Sequence, residues 1–414
     1  MATPTLESGS SQVSEEKSWS NVRCRTRIPI MDVHNAVRGY DVLIRGEQDG
    51  PDPAGSDAAG QAIIPSLEQF TRGLPAFLSY RPDWIAGGRG MDKLPPRTVL
   101  KLPAESEPSA ALVSGCCAWK ALGHGLALEY SAANAEALVS LADFILVDFA
   151  VHDAAARNER FGSRKGIAAK RVATHMETQE TLREAREEGF DFFEGYFFAH
   201  CTATNGQKIP GNKLVHLEIL ELIQNDPYDL QRLSQLVRCD PALTFRLLRL
   251  VNSPMCAVRQ EVTSIQAALL LVGQSVFRRI ALVAIARDLN GDQPAEILRM
   301  ALARSRFCEL AASVHGLAPA EQYLIGMVSL FPAMLNLPME DLAPMLPLRT
   351  AAGNALLGKD LPERALLAWI IAMERGDWTG CDAVAAAHDL RSLELRLLFE
   401  EAIVWAETSL TSMA

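Results

Sequence analysis

Paired cysteines, long apolar runs and a leader-like start are all missing from this sequence. Its eight cysteines are scattered over 414 residues, and no two stand at CxxC or zinc-finger spacing. This pattern favours reduced thiols over a disulfide framework. No run of about 18 apolar residues indicates a membrane span, and residues 1–20 are rich in Ser and Glu, unlike a signal peptide. The sequence therefore predicts a cytoplasmic protein that makes no contact with a membrane.

Positive charge and common catalytic motifs are also scarce. Lys and Arg number 40 against 50 Asp and Glu, and the net charge of −10 argues against broad affinity for nucleic acids. The histidines form no HxxxH or HxH set, and no Ser lies in a G-x-S-x-G context. A hydrolase triad is therefore unsupported. Apolar residues are plentiful at 49% of the chain, and the length indicates two to three domains.

Residues 211–290 carry the clearest helical periodicity. Apolar residues recur at three-residue spacing from Leu214 to Ile223, which predicts a first helix. Asp240 followed by Pro241 is a start signal for a helix that buries Leu243, Leu247, Leu250 and Val251. Ser264 is placed to cap a further helix ending at Gly273, and Ser275 the next. The pattern indicates a bundle of short helices without strands.

The first half alternates short apolar runs with helical patterns. Predicted strands cover residues 27–31, 39–45, 76–80, 98–102, 125–129, 144–148 and 167–172. Predicted helices begin at residue 66 and cover residues 110–122, 132–141 and 179–188. Strands that alternate with helices predict a parallel α/β arrangement, and a barrel is one form of it.

The helical half resembles the HDOD domain. The resemblance rests on segments that follow one another in the family's order: Asp240-Pro241, Arg246-Leu247-Leu248, Val251-Asn252-Ser253-Pro254, Ser264-Ile265-Gln266-Ala267-Ala268 and Leu271-Val272-Gly273. It implies an all-helical relative of the HD phosphohydrolases that has lost their metal ligands and binds partners. Residues 325–332, which correspond to the His-Asp pair of HD hydrolases, contain neither residue type. We expect no metal there.

The first half resembles the EAL domain. The landmarks are residues 39–45, Ile145-Leu146-Val147-Asp148, Met176-Glu177-Thr178 and residues 189–198, and those of an EAL–HDOD fusion continue at residues 373–378 and 401–406. The resemblance implies a modified TIM barrel of a family that hydrolyses cyclic di-GMP with Mg²⁺ or Mn²⁺. It predicts a disordered tail at 1–21, an EAL-like domain at 22–204 and an HDOD domain with C-terminal helices at 205–414. The barrel is short for its fold, so we expect trimmed helices.

Several positions depart from the family's metal site. The name-giving Glu is Asp41, the Asn of the next strand is Ser79, and a Glu on the following strand is replaced by Lys101. The paired aspartates become Glu129-Tyr130, and the catalytic Lys becomes Leu146. Each lost carboxylate removes charge and a ligand oxygen that two-metal hydrolysis requires. These changes predict a barrel without phosphodiesterase activity.

The remaining motif positions are mixed. Asp148 is retained, the first of two glutamates is Thr174 while the second is Glu177, and the Gln before Gly-Tyr is Glu194. We predict no catalytic residue, no metal and no cofactor. The candidates for a vestigial ligand site are Asp41, Arg45, Glu129, Asp148, Glu177 and Glu194.

Two sets of arginines leave alternatives open. Arg45 stands where the resemblance places a phosphate-contacting Arg. A structural salt bridge to Glu129 or Glu194 is favoured, because those acids would repel an anion. In the helical half, a candidate interaction surface consists of Arg246, Arg249, Arg278 and Arg279. A rim paired with local acids is favoured over a helix-turn-helix at residues 264–289.

The sequence thus predicts a non-catalytic bacterial signalling protein that acts through protein–protein contacts. The barrel would serve as scaffold or sensor and the HDOD helices as the effector surface. The first alternative is a receptor that binds cyclic di-GMP without hydrolysis through Asp41, Arg45 and Glu177. The second is a nucleic-acid-binding regulator that uses the HDOD arginines, which the net charge disfavours. Other signalling proteins are the expected partners, and the resemblance leaves a homodimer open.

Overall fold

A computed structural model defines two regions, a barrel followed by a helical region. It describes residues 24–45, 67–88, 94–129, 136–153, 155, 157, 168–201, 211–224, 229–238, 240–253, 256, 262–346 and 348–413. The predicted tail at 1–21 and the predicted boundary at 204/205 lie outside these residues. Both therefore stay predictions.

The first region is a closed eight-stranded barrel, which confirms the predicted fold class. Its strands are β1 (Cys24–Asp32), β2 (Val37–Arg45), β3 (Ala76–Ser79), β4 (Val99–Leu102), β5 (Gly125–Glu129), β6 (Phe144–Asp148), β7 (Lys170–Thr174) and β8 (Phe192–Glu194). Neighbours from β2 to β8 pair in parallel. Strand β1 is the exception to the predicted parallel arrangement, since it runs antiparallel to both β2 and β8.

The described helices of the barrel region are few and short. They are α1 (Pro82–Ala86), α2 (Ala110–Ala121), α3 (Glu136–Val139) and α4 (Gln179–Glu187), with a 3-10 turn at Phe197–Ala199. Ser109 caps α2 by accepting a hydrogen bond from the Leu112 amide, and Thr178 forms a capping box at the start of α4. These caps explain why both helices begin where the sequence predicts.

The second region is all helical. Its helices are α5 (Gly211–Gln224), α6 (Leu230–Arg238), α7 (Pro241–Val251), α8 (Ile265–Asn290), α9 (Ala295–His315), α10 (Pro319–Val328), α11 (Phe331–Leu335), α12 (Met339–Leu342), α13 (Thr350–Leu356), α14 (Pro362–Glu374), α15 (Trp378–Ala387) and α16 (Ser392–Met413), with a 3-10 turn at Ala343–Met345. The predicted caps are present: Asp240 accepts from the Leu243 amide and Ser264 from the Ala267 amide. The predicted break at Gly273 is a residue with φ 75° and ψ 166° inside α8.

One apolar position differs from prediction. Leu214 on α5 is 42% exposed, although Leu217, Leu220 and Ile223 are buried as expected. The terminal helix α16 packs on α9. Leu393 and Leu397 are each 37% exposed, and the buried residues are Leu395, Phe399, Ala402, Ile403 and Ala406.

Helix α8 is long and apolar enough to span a membrane by length and composition alone, the one such helix among the described residues. Half of its most apolar 18-residue stretch is buried inside the protein. Gly273 also interrupts its helical conformation. A helix packed in a protein core has these properties.

Candidate functional site

A polar cavity lies at one end of the barrel. Side chains alternate between the two faces of a strand, so residues two apart share the interior. Phe77, Val99, Ala127, Leu146 and Val172 form a buried cluster that fills the interior. Two positions further along their strands stand polar residues that line a cavity of about 610 Å³: Ser79, Lys101, Glu129, Asp148 and Thr174. Because these positions are at the carboxyl ends of parallel strands, they meet at the end where TIM-type barrels place their sites.

Five of the six predicted ligand-site residues line this cavity. They are Asp41, Glu129, Asp148, Glu177 and Glu194. Arg45 is not among the cavity residues. Its guanidinium instead makes two hydrogen bonds to Asp382 on α15, at 3.0 and 2.6 Å. The predicted salt bridge of Arg45 was therefore right in kind, but Glu129 and Glu194 were the wrong partners.

A buried ion pair occupies the centre of the cavity wall. Lys101 Nζ lies 2.6 Å from Asp41 Oδ2, and the two side chains are only 8% and 9% exposed. Burial disfavours the charged amine, but the pKa of Lys101 is nevertheless raised because Asp41, Glu194 and Glu129 surround it with negative charge. The Lys101 amine therefore places a positive charge inside the cavity.

Two of the cavity acids, Glu194 and Glu129, have raised pKa values. Burial raises the pKa of Glu194 to about 8, Asp41 adds repulsion, and Lys101 opposes the shift. Burial also raises the pKa of Glu129, against the effects of Lys101 and the backbone amide of Ala104. Glu194 is therefore mostly protonated at neutral pH, and the cavity is less negative than its composition indicates.

The mouth of the cavity is formed by side chains from both regions. Asp148 lies 3.2 Å from His175 Nδ1, and its other oxygen accepts a hydrogen bond from the Ala150 amide. Glu177 lies 3.3 Å from Arg375 Nη2, and His200 followed by Arg375 keeps its pKa low. Arg375 directly follows helix α14, so the helical region contributes a cation to the cavity.

Sequence reasoning missed the contribution of Arg375. Its segment, residues 373–378, was recognisable only as a landmark of the C-terminal region. Pairing with Glu177 joins positions about 200 residues apart, and one sequence carries no local signal for such a contact.

The cavity does not fit the divalent ions that the EAL resemblance implies. The Lys101 amine already neutralises Asp41 at hydrogen-bond distance. Among the described His, Cys, Asp and Glu residues, the only three ligand atoms within 4.8 Å of one another belong to a cluster in the helical region. Among the described barrel acids, no three have ligand atoms this close together.

Three of the four candidate arginines contact other helices of the helical region. Arg246 pairs with Asp288, and Arg279 Nη1 lies 3.2 Å from Glu309. Arg278 donates to the Ile223 carbonyl at 2.6 Å, while Arg249 is exposed. Pairing with local acids, the favoured interpretation, therefore describes two of the four, Arg246 and Arg279.

A second buried ion pair contacts the segment that the HDOD resemblance aligns with the HD pair, residues 325–332. Arg304 donates to Ser329 Oγ at 3.2 Å and to both carboxylate oxygens of Glu374, the shortest at 2.7 Å. Both charged side chains are at most 10% exposed.

Comparison with known proteins agrees with the two-region architecture. Residues 209–329 match the family model of the HDOD domain, so the helical region contains an HDOD domain, as predicted. Two curated relatives align over 92% of this chain. The uncharacterized protein YuxH of Bacillus subtilis is 26% identical, with 97% of its length covered, and the cyclic di-GMP phosphodiesterase CdgJ of Vibrio cholerae is 27% identical, with 91% covered.

Similar solved structures include both domain types. An EAL domain protein of Listeria monocytogenes aligns over 46% of this chain and 94% of its own, with 17% identity and a TM-score of 0.35. An HDOD domain protein of Geobacter sulfurreducens aligns over 51% of this chain and 94% of its own, with 14% identity and a TM-score of 0.37.

Proposed function

We propose that this protein is a cytoplasmic bacterial signalling protein whose EAL-type barrel does not hydrolyse cyclic di-GMP. Its output is contact with other signalling proteins through the HDOD region. The relationship to CdgJ, whose name describes a cyclic di-GMP phosphodiesterase, supports the signalling class. The relationship does not carry the activity, because the chemistry depends on particular residues rather than on the fold.

The buried pair of Lys101 and Asp41 is the observation that carries the proposal. Metal-assisted phosphodiester hydrolysis needs converging carboxylates that hold ions, which polarise the phosphate and activate water. Here an amine lies 2.6 Å from the carboxylate that replaces the name-giving Glu. An ion at Asp41 would have to displace or repel this amine. Leu146, in place of the lysine that the resemblance implies, removes a further catalytic group.

Exposed apolar side chains on the HDOD helices support a role in protein contact. Phe245 on α7 is 65% exposed, and Leu270 and Leu271 on α8 are 86% and 56% exposed. Large apolar residues in such positions are typical of surfaces that another protein covers. Arg249 on α7 provides an exposed charge on the same helix as Phe245.

Binding of cyclic di-GMP without hydrolysis is the second candidate. The cavity of about 610 Å³ is within the size range of small-molecule sites. Lys101 and Arg375 supply cations, and the raised pKa of Glu194 removes one of the opposing charges. Because Arg45 lies outside the cavity, Arg375 replaces it as the proposed phosphate contact.

Calorimetric titration with cyclic di-GMP, with and without Mg²⁺ or Mn²⁺, followed by chromatography of the products, tests both candidates. We expect no product under any condition. Binding without product would select the receptor, and Arg375→Ala should then weaken it at least about tenfold while Arg45→Ala leaves it unchanged. Metal-dependent product that disappears in Asp148→Ala and Glu177→Ala would contradict the proposal.

A further inference from the structure

A second cluster of chemically competent side chains lies in the HDOD region, away from the barrel cavity. It joins His216 on α5, Asp240 at the start of α7 and Asp288 near the end of α8. One ligand atom from each residue lies within 4.8 Å of the other two. His216 Nε2 is 3.4 Å from Asp240 Oδ2 and 3.3 Å from Asp288 Oδ2. Three helices thus converge on one point.

Each carboxylate uses one oxygen for the fold and turns the other toward the histidine. Asp240 Oδ1 accepts the capping hydrogen bond from the Leu243 amide at 2.9 Å. Asp288 Oδ1 pairs with Arg246. The Oδ2 atoms of both residues face His216, so the arrangement is held from outside by a helix cap and an ion pair.

The inward-facing atoms of His216 and Asp288 are buried and lack hydrogen bonds. His216 is only 5% exposed, and neither of its ring nitrogens has a hydrogen-bond partner. Asp288 Oδ2 is likewise buried without a hydrogen bond. Buried polar atoms without partners are rare in folded proteins, since each costs free energy that only a partner can offset. A bound cation would satisfy His216 Nε2 and Asp288 Oδ2 together.

The spacing matches a metal ion with nitrogen and oxygen ligands. Zinc lies about 2.0–2.2 Å from imidazole nitrogen and carboxylate oxygen, so tetrahedral ligands are separated by about 3.3–3.6 Å. The two distances from His216 Nε2 are 3.4 and 3.3 Å. Mg²⁺ and Ca²⁺ prefer all-oxygen sites, whereas an imidazole ligand favours a transition-series ion.

We propose that His216, Asp240 and Asp288 bind a divalent transition-metal ion, with Zn²⁺ as the best match. The ion would cross-link α5, α7 and α8, and three protein ligands leave a position for water or a partner's side chain. Arg246 pairs with Asp288 from outside the cluster, and its positive charge lowers the affinity of the cluster for a cation.

The site differs from the one that the family resemblance would suggest. The segment aligned with the HD pair is 325–332, where Ser329 contacts Arg304. Neither residue belongs to the His216 cluster. The sequence predicted no metal because His216, Asp240 and Asp288 have no motif spacing and meet only in the folded bundle.

The test uses the full-length protein after removal of metals with a chelator. Calorimetry with ZnCl₂, MnCl₂ and MgCl₂, with elemental analysis after gel filtration, gives affinity and stoichiometry. We expect one Zn²⁺ per chain, no comparable Mg²⁺ binding, and a Zn²⁺-dependent increase in Tm of at least about 2 °C. His216→Ala should weaken Zn²⁺ binding at least about tenfold.

Asp240→Asn separates metal binding from folding, because Asn caps helices as well as Asp does but is a poor metal ligand. It should lose Zn²⁺ binding while keeping the Tm of the metal-free protein. His388→Ala is the matched control, since His388 pairs with Asp360 at 3.3 Å away from the cluster, and it should bind Zn²⁺ normally. No Zn²⁺ binding by the original protein, or unchanged binding in both His216→Ala and Asp240→Asn, would overturn the proposal.

Discussion

At the scale of single residues, the barrel cavity is defined by a buried ion pair. Lys101 and Asp41 are both almost fully buried, and one oxygen of Asp41, Oδ1, is buried without a hydrogen bond. A buried pair of this kind contributes little net stability, but removing one partner leaves an unpaired charge in the interior. The pair should therefore be sensitive to single substitutions and tolerant of a double one.

Lys101→Met should destabilise the protein by about 3–5 kcal/mol, because Asp41 remains buried without its cation. Equilibrium urea denaturation measures the change. The double variant Lys101→Met/Asp41→Leu should recover most of the loss. The exposed pair Arg81–Asp83 provides the control, and Arg81→Met should cost less than about 1 kcal/mol.

The same pair has a defined pH dependence. Since the pKa of Lys101 is raised on folding, its stabilisation is complete below the unfolded-state pKa of about 10.4 and is lost only as pH rises through the folded value. The cost of Lys101→Met should thus persist between about pH 6 and 9, and it should not decline as Glu194 ionises near pH 8. A cost that vanishes at pH 8 would contradict this assignment.

Glu194→Gln should remove a pH dependence of stability that arises from a buried acid rather than from a buried amine. The pKa of Glu194 is raised to about 8, so the folded state holds a proton that the unfolded chain releases near pH 4.5. Stability from this group is present below that unfolded pKa and is lost as pH rises toward 8, by up to about 1.4 kcal/mol per pH unit. Gln keeps the shape without the proton, so the variant should be the more stable one at pH 8.

Denaturation curves at several pH values, with the variant subtracted from the original protein, isolate this group from the histidines. Glu177→Gln is the control, because the pKa of Glu177 is lowered and its contribution is lost only in acid. An identical slope from pH 5 to 8 in Glu194→Gln and the original protein would show that Glu194 is ionised throughout.

At the scale of elements, close helix packing places a stricter demand than helix propensity. Gly326 lies in α10 where that helix meets α9, and a Cβ there would come within 2.7 Å of the Arg304 backbone. Gly353 in α13 has nothing within 4 Å of such an atom. The two glycines therefore offer a matched comparison within one domain.

Gly326→Ala should destabilise the protein by about 1–3 kcal/mol, since the backbones of α9 and α10 must move apart. Gly353→Ala should instead stabilise it by about 0.5–1 kcal/mol through helix propensity alone. Thermal denaturation of both variants measures the difference in sign. Equal effects would mean that α9 and α10 can separate without cost.

Local patterns predicted the elements well where their signals were local. The caps at Asp240 and Ser264, the break at Gly273 and the strands at 125–129 and 144–148 depend on neighbouring residues only, and the structure confirms them. The exposure of Leu214 was not predicted. Contacts with neighbouring helices, which the sequence does not record, decide which apolar residues of α5 are covered.

The candidate site was predictable in part for the same reason. The polar residues near the strand ends belong to motifs that the family resemblance identifies. Five acids named from those motifs line one cavity. The partners of Arg45 and Glu177 come from the helical region, at Asp382 and Arg375. Such pairs form only after the two regions meet.

At the scale of the whole molecule, ion pairs join the barrel to the helical region. Arg25 pairs with Glu400 at 3.0 Å, and the Tyr40 hydroxyl lies 3.2 Å from Glu296. Glu407 on α16 is the centre of this network: it contacts Arg27 at 2.7 Å, Arg299 at 3.1 Å and Arg72 at 3.4 Å. One carboxylate thus pairs with two arginines of the barrel and one of the helical region.

Glu407→Gln should therefore do more than lower stability. Arg27 and Arg299, 8% and 9% exposed, would lose their shared counter-charge, at a cost of about 3 kcal/mol or more. Because the lost contacts join the two regions, the single calorimetric unfolding transition expected of the original protein should separate into two. Glu401→Gln, on the same helix but 54% exposed and 3.3 Å from Arg306, should cost less than about 1 kcal/mol and keep one transition. If both variants unfold alike, the network does not hold the regions together, and the barrel and the HDOD domain are joined by their apolar contacts instead.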